Sequence, residues 1–202
     1  MELVDETLDI SGLTLRFRRP PNPGDLIDEK RFADDEYMPY WAELWPAGIA
    51  LARYLVAERD LRGKRVLELG CGLGLPSLAA ALGGAEVLAT DWAGDALGLL
   101  RENAATLGVE LETLEADWRD ADELVERGPW DLVLAADVLY EERNVEPLVR
   151  LLPRLATEAL VGDPGRTYLE PFVSAVSRHF ELTRWQPDPE GLPKLVILTL
   201  TR

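Results

Sequence analysis

The run Val66-Leu67-Glu68-Leu69-Gly70-Cys71-Gly72-Leu73-Gly74-Leu75-Pro76 concentrates more chemistry than any other stretch of this chain. Gly70, Gly72 and Gly74 stand where an apolar strand hands over to a helix. Glycine there permits a tight turn and lets a ligand approach the backbone closely. The spacing is G-x-G-x-G rather than the G-x-G-x-x-G of a dinucleotide site, and an acid, Glu68, lies just ahead of the first glycine. A carboxylate at that place repels a pyrophosphate but can hold an ammonium, or order water beside a cationic ligand. The expected ligand is therefore not a dinucleotide. Asp91 ends the next strand after Val87-Leu88-Ala89-Thr90, where a carboxylate can accept from both hydroxyls of a ribose. Asp117-Trp118 closes the third strand, an acid able to accept from an adenine amino group beside a ring able to pack on it. Taken singly, Asp91 reads equally well as a helix cap and Trp118 as core. Together, Glu68, Asp91 and Asp117 end three consecutive strands, and ligands gather at those ends in open α/β sheets. The set reads as a nucleoside site.

The elements that must position these residues follow an alternating pattern. Strands are predicted at Arg65–Leu69, Glu86–Thr90, Glu110–Glu115, Trp130–Ala136 and Ala159–Gly162. Helices are predicted at Leu75–Leu82, Asp95–Leu107 (ended by Gly108), Val145–Leu155 and Glu170–Ser177. Strands separated by helices imply right-handed crossovers and a mainly parallel, doubly wound α/β sheet. Phe180–Trp185 and Lys194–Thr201 read as two strands joined by a Pro/Gly turn, which brings one antiparallel strand into the sheet. Ahead of this unit, Thr7–Ile10 and Leu13–Arg18 alternate around Ser11-Gly12 as a β-hairpin. A proline-rich acidic connector follows from Pro20 to Glu36. Then Trp45-Pro46 opens a helix through Ile49, Leu51, Leu55 and Val56, with proline at the first turn, where its missing N–H costs nothing.

Bulk properties narrow the function. The 202 residues allow one good core and hardly a second full domain. One cysteine, Cys71, and one histidine, His179, leave no zinc cluster and no histidine-based triad. Cys71 sits inside the glycine turn as a small packing residue, and nothing connects His179 with a catalytic base. The net charge of −16 repels a phosphate backbone, so no nucleic-acid partner is expected, whereas a cationic ligand or basic protein segment is attracted. No stretch is long and apolar enough to span a bilayer, and Met1–Ile10 is acidic and lacks the apolar run of a signal peptide. A cytoplasmic, monomeric protein without membrane contact is expected.

Glu68-Leu69-Gly70-Cys71-Gly72-Leu73-Gly74 resembles motif I of class I S-adenosylmethionine-dependent methyltransferases, with Asp91 at that family's ribose-binding acid and Asp117-Trp118 at its adenine-contacting position. More narrowly, Trp45-Pro46 before a helix, Asp117-Trp118, and Asp137-Val138-Leu139-Tyr140 after the fourth strand resemble the seven-β-strand protein-lysine methyltransferases. Gly162-Asp163-Pro164-Gly165-Arg166 is similar to the branch that modifies the β subunit of electron-transfer flavoprotein. The resemblance runs from about Tyr37 to the end. It implies a Rossmann-like, seven-stranded sheet of order 3-2-1-4-5-7-6 with the last strand antiparallel. Residues 1–36 then form an amino-terminal hairpin extension and 37–202 the methyltransferase domain. It implies S-adenosylmethionine as cofactor, leaving as S-adenosylhomocysteine, held by Trp45, Glu68, Gly70, Gly72, Gly74, Asp91, Trp92, Asp117, Trp118 and Ala136. On the acceptor side it implies Asp137, Tyr140 and Asp163.

Methyl transfer from a sulfonium is an in-line displacement, so the protein chiefly orients the nucleophile and excludes water. No covalent nucleophile is needed. Asp137 and Tyr140, beyond the fourth strand, can orient an incoming amine, although a nearby carboxylate also raises the amine's pKa and favours its unreactive form. Tyr140 reads equally as a packed loop aromatic. Asp163-Pro164-Gly165-Arg166 is a plain turn signal as well, in which Asp163 contacts substrate while Arg166 pairs with a neighbouring acid or a substrate carboxylate. The favoured acceptor is a protein with an accessible lysine. The alternative is a small amine or nicotinamide-like metabolite, signalled by a pocket closed over by Pro20–Glu36. A cofactor-binding module without catalysis ranks last.

Overall fold

The computed structural model describes residues 1–27, 38–187 and 192–202. Part of the predicted connector, the 36/37 boundary and the centre of the last predicted turn lie outside the described residues.

An antiparallel hairpin, β1 (Val4–Ile10) and β2 (Leu13–Arg19), precedes the main sheet. That sheet contains β3 (Arg65–Leu69), β4 (Glu86–Asp91), β5 (Glu112–Glu115), β6 (Leu132–Ala136), β7 (Glu158–Asp163), β8 (Glu181–Trp185) and β9 (Val196–Thr201). Their order is β5-β4-β3-β6-β7-β9-β8, and only β9 runs antiparallel to its neighbours. This is the order the resemblance implied. The helices are α1 (Pro46–Glu58), α2 (Leu75–Leu82), α3 (Gly94–Leu107), α4 (Asp122–Glu126), α5 (Val145–Leu155) and α6 (Leu169–Val176). The short α4 was not legible in the sequence, since five residues cannot show a helical period. β6 begins two residues later than predicted, because Trp130 makes only an isolated bridge to Ala156.

Alternation within each strand builds a core on both faces of the sheet. Val133 and Ala135 of β6 join Leu67 and Leu69 of β3 against α5 and α6. Leu132 and Leu134 join Val66 on the opposite face, under Leu51 and Leu55 of α1. Such apolar runs, buried on both faces, are what a parallel sheet demands. In α5, Leu148, Leu151, Leu152 and Leu155 recur at helical spacing and are all buried, each contributing roughly 1.5–3 kcal/mol.

The hairpin belongs to a third cluster. Ile10, Leu15 and Phe17 pack with Trp41, Leu97 and Leu100. The Asn103 amide of α3 bonds both backbone groups of Arg18, accepting from its N–H at 2.8 Å and donating to its carbonyl at 2.9 Å. Parallel packing leaves every strand of the β3–β7 series ending on the same edge. That edge carries the site.

Candidate active site

The glycine bend leaves β3 and enters α2 through three left-handed residues, Gly70 (φ 65°), Gly72 (φ 51°) and Gly74 (φ 71°). Space as well as φ demands glycine. A β-carbon on Gly70 would stand 2.8 Å from Trp118 Cζ2, and one on Gly74 would stand 2.5 Å from Leu100 Cδ1. The bend opens onto a cavity of about 310 Å³, within the range of small-molecule sites. Of the predicted cofactor residues, Trp45, Glu68, Gly70, Gly72 and Gly74 line it, as do Asp91, Trp92, Trp118 and Ala136. Asp137 and Tyr140 line its other end.

Two carboxylates on the strand side are tied to backbone. Asp91 Oδ2 accepts from Gly72 N at 2.8 Å, and its Oδ1 from Ala93 N at 2.9 Å. Burial pushes its carboxyl upward, opposed by those N–H donors. Each oxygen keeps a second lone pair, which is what a ribose diol would use. Glu68 is buried, and its Oε2 accepts from both the backbone N–H (2.9 Å) and the hydroxyl of Ser77, in the first turn of α2. Desolvation drives its pKa up to about 8 against the two Ser77 bonds. Glu68 thus ties α2 to β3 while still facing the cavity, a structural duty its position alone did not disclose.

Asp117 behaves differently from its neighbour. Trp118 lines the cavity, but Asp117 is largely exposed, and its carboxylate is gripped by Arg119, with Nε 3.0 and 2.9 Å from its two oxygens. That bond holds its pKa below the usual carboxylate range. Asp117 is not among the cavity walls.

Just past β6, Asp137 occupies the left-handed region at φ 59°, rare for a residue with a β-carbon. Its side chain is buried, and each oxygen accepts one bond from the protein. Oδ2 accepts from Ala47 N of α1 at 2.9 Å, and Oδ1 from Arg166 Nη2 at 2.9 Å. Asp163 is fully buried and does not reach the cavity. Its Oδ1 accepts from Gly165 N and Arg166 N, both at 2.7 Å, so it holds the turn after β7. Burial raises the pKa of both acids.

The remaining wall is aromatic. The Tyr40 ring lies 5.5 Å from Tyr140 and 6.2 Å from Trp45, and the Trp45 indole N–H donates to the Tyr40 carbonyl at 2.8 Å. Among the described residues, three of the seven exposed large apolar side chains, Tyr40, Trp92 and Tyr140, border this one cavity, so the clustering marks a mouth rather than scattered surface. Tyr40 and Arg166 complete the site beyond the predicted set. Tyr40 was readable only as part of a Tyr-Trp pair before α1. Cys71 is buried with its thiol pushed well up, inert packing as the sequence suggested. His179 is exposed in the turn after α6. Among the described residues no cluster of acids, cysteines and histidines is arranged to hold a metal, and no helix is long and apolar enough to cross a membrane.

A family model described as lysine methyltransferase matches residues 31–161. The chain belongs to the lysine methyltransferase family. Among relatives, the electron transfer flavoprotein beta subunit lysine methyltransferase of Xenopus laevis is 39% identical over 136 residues, covering 63% of this chain and 53% of that protein. Its counterpart in Danio rerio is 37% identical over 140 residues, covering 65% and 52%. This lysine methyltransferase family member therefore spans about half the length of the curated relatives it matches. Among solved structures, a T. thermophilus 16S rRNA N2 G1207 methyltransferase superposes with a TM-score of 0.73 at 17% identity, over 99% of this chain and 50% of that one. That likeness concerns the fold.

Proposed function

We propose that this chain is an S-adenosylmethionine-dependent N-methyltransferase acting on lysine side chains of a protein. The observation that carries the reading is one cavity shared by the glycine bend, the Asp91 carboxylate and the half-exposed Tyr140. The donor set fits a nucleoside bearing a positive sulfur: unused lone pairs on Asp91, indoles at Trp92 and Trp118, and acids in place of phosphate-binding cations. The cofactor supplies, when bound, a methyl group activated on a sulfonium.

Asp91 would accept from the ribose hydroxyls while its N–H partners keep it aimed. Trp118, rather than the Arg119-bound Asp117, would meet the base. Tyr40 and Tyr140 form the port through which an aliphatic stem and its amine would enter, packing on both rings. Asp137 is bonded to Arg166 and to the start of α1, so its part is to hold the frame of the port. The proton leaves to water, and the apolar port assists by disfavouring the charged amine.

Net charge supports a protein over a nucleic acid, since a −16 surface repels phosphates. The relatives' names make electron-transfer flavoprotein β subunit the first acceptor to try. Incubation with tritiated S-adenosylmethionine and a source-cell lysate, followed by hydrolysis of labelled bands, should yield methylated lysine. Label confined to the small-molecule fraction would overturn the protein-lysine reading. No calorimetric uptake of S-adenosylmethionine or S-adenosylhomocysteine would overturn the whole assignment.

A further inference from the structure

We infer that Arg166 is a positioning residue for the cofactor pocket, joining the end of β6, the start of α1 and the turn after β7 through one guanidinium. The inference rests on the cofactor assignment above. Arg166 Nη2 donates to Asp137 Oδ1 at 2.9 Å, and its guanidinium carbon lies 5.2 Å from the centre of the Trp45 ring. Asp137 in turn accepts from Ala47 N. Trp45 is the residue just before α1, so the two contacts of Arg166 grip the same helix start, one through a carboxylate and one through an indole.

The turn is built to aim this arginine. Asp163 Oδ1 fixes the backbone N–H groups of Gly165 and Arg166. Gly165 adopts φ 86°, and a β-carbon there would fall 2.4 Å from Lys194 Cβ, so the turn is pressed against the chain entering β9. Gly162 allows α1 to pass close to β7, with a β-carbon there only 3.2 Å from the Ala47 carbonyl. The side chain of Arg166 is three-quarters covered, and among the described residues it is the cation paired with Asp137.

The buried carboxylate of a left-handed Asp137 is held here by one positive charge. Without it, Asp137 loses a charged donor, and the first turn of α1 loses the partner that holds its acceptor still. The indole of Trp45 loses its cation. Arg166 thus acts on the pocket through Trp45 and Asp137. Lysine can supply the charge but not the planar fork that pairs and stacks at once.

Two measurements on the full chain test this. In ligand-free protein, hydrogen exchange should quicken about tenfold at Ala47 and Gly48 in Arg166→Met, with α2, β3 and β4 unchanged. S-adenosylhomocysteine affinity by calorimetry should fall at least about tenfold. Arg166→Lys should restore the exchange protection yet stay about threefold weaker in affinity, because the stacking is lost. Unchanged exchange and affinity in Arg166→Met would overturn the inference, as would faster exchange spread evenly over the sheet. If Arg166→Met fails to fold, Arg166→Gln takes its place under the same expectations. Parent protein that takes up no S-adenosylhomocysteine would refute the cofactor assignment, and the exchange measurement would still judge Arg166.

Discussion

The Asp91 carboxylate accepts the backbone N–H of Gly72 at 2.8 Å, tying the tip of β4 to the bend that leaves β3. One side chain therefore shapes the glycine turn and presents acceptors to the cavity. Asp91→Ala should weaken S-adenosylhomocysteine binding by about 1–3 kcal/mol, the scale of an unmet charged hydrogen bond. It should also cost a comparable amount of stability, since Gly72 and Ala93 lose their acceptor. Calorimetry beside urea melts separates the two effects. A folded variant with unchanged affinity would show that Asp91 faces no ligand.

Glu68 sets a pH dependence. Its folded-state pKa of about 8 lies above the usual carboxylate value, so the folded protein binds the extra proton. The stability this provides is fully present below about pH 4.5 and is lost as pH rises toward and through 8. Glu68→Gln has no such loss. The stability of the variant relative to the parent should therefore climb by a few kcal/mol between pH 5 and pH 9. A cationic ligand beside Glu68 favours the carboxylate, so binding near pH 7 should release a proton. Titrations in buffers of different ionisation enthalpy would reveal it, and melts with parallel pH profiles would contradict the assignment.

Gly74 and Leu100 are matched in shape. A methyl at Gly74 would meet Leu100 Cδ1 at 2.5 Å, in a left-handed residue at φ 71°. Gly74→Ala should cost about 2–4 kcal/mol from backbone strain and overpacking. In a cycle with Leu100→Ala, the double variant should be less destabilised than the sum of the singles. Strict additivity in denaturant melts would place the damage elsewhere.

Tyr140 separates orientation from proton transfer. Burial, with Glu141 adding to it, pushes its phenol above the usual tyrosine value, so it stays protonated through neutral pH and cannot serve as a base. Once an acceptor is in hand, kcat/KM should rise from pH 6 to 9 as the amine deprotonates. Tyr140→Phe should lower it about five- to tenfold at every pH without moving the profile. A shifted apparent pKa in the variant would assign the proton to Tyr140. A flat parent profile, with chemistry limiting, would exclude an amine acceptor.

The sequence determined the layered α/β fold and the glycine-bend half of the cavity wall, and the reason is local. The glycine bend, Asp91 and Trp118 follow directly from strand ends, and parallel crossovers bring strand ends to one edge whatever the loops do. Strand alternation puts Leu67 and Val66 on opposite faces of the sheet. Tertiary structure decided the rest, because a carboxylate's role depends on which donors reach it. Glu68 was taken by Ser77, Asp117 by Arg119, Asp163 by its own turn, and Asp137 by Arg166 and α1 from distant parts of the chain. The facing of Tyr40 and Tyr140, a hundred residues apart, belongs to the same class, since no spacing rule joins a segment before α1 to a loop after β6. Periodicity fixes where strands end; only packing fixes what their terminal side chains hold.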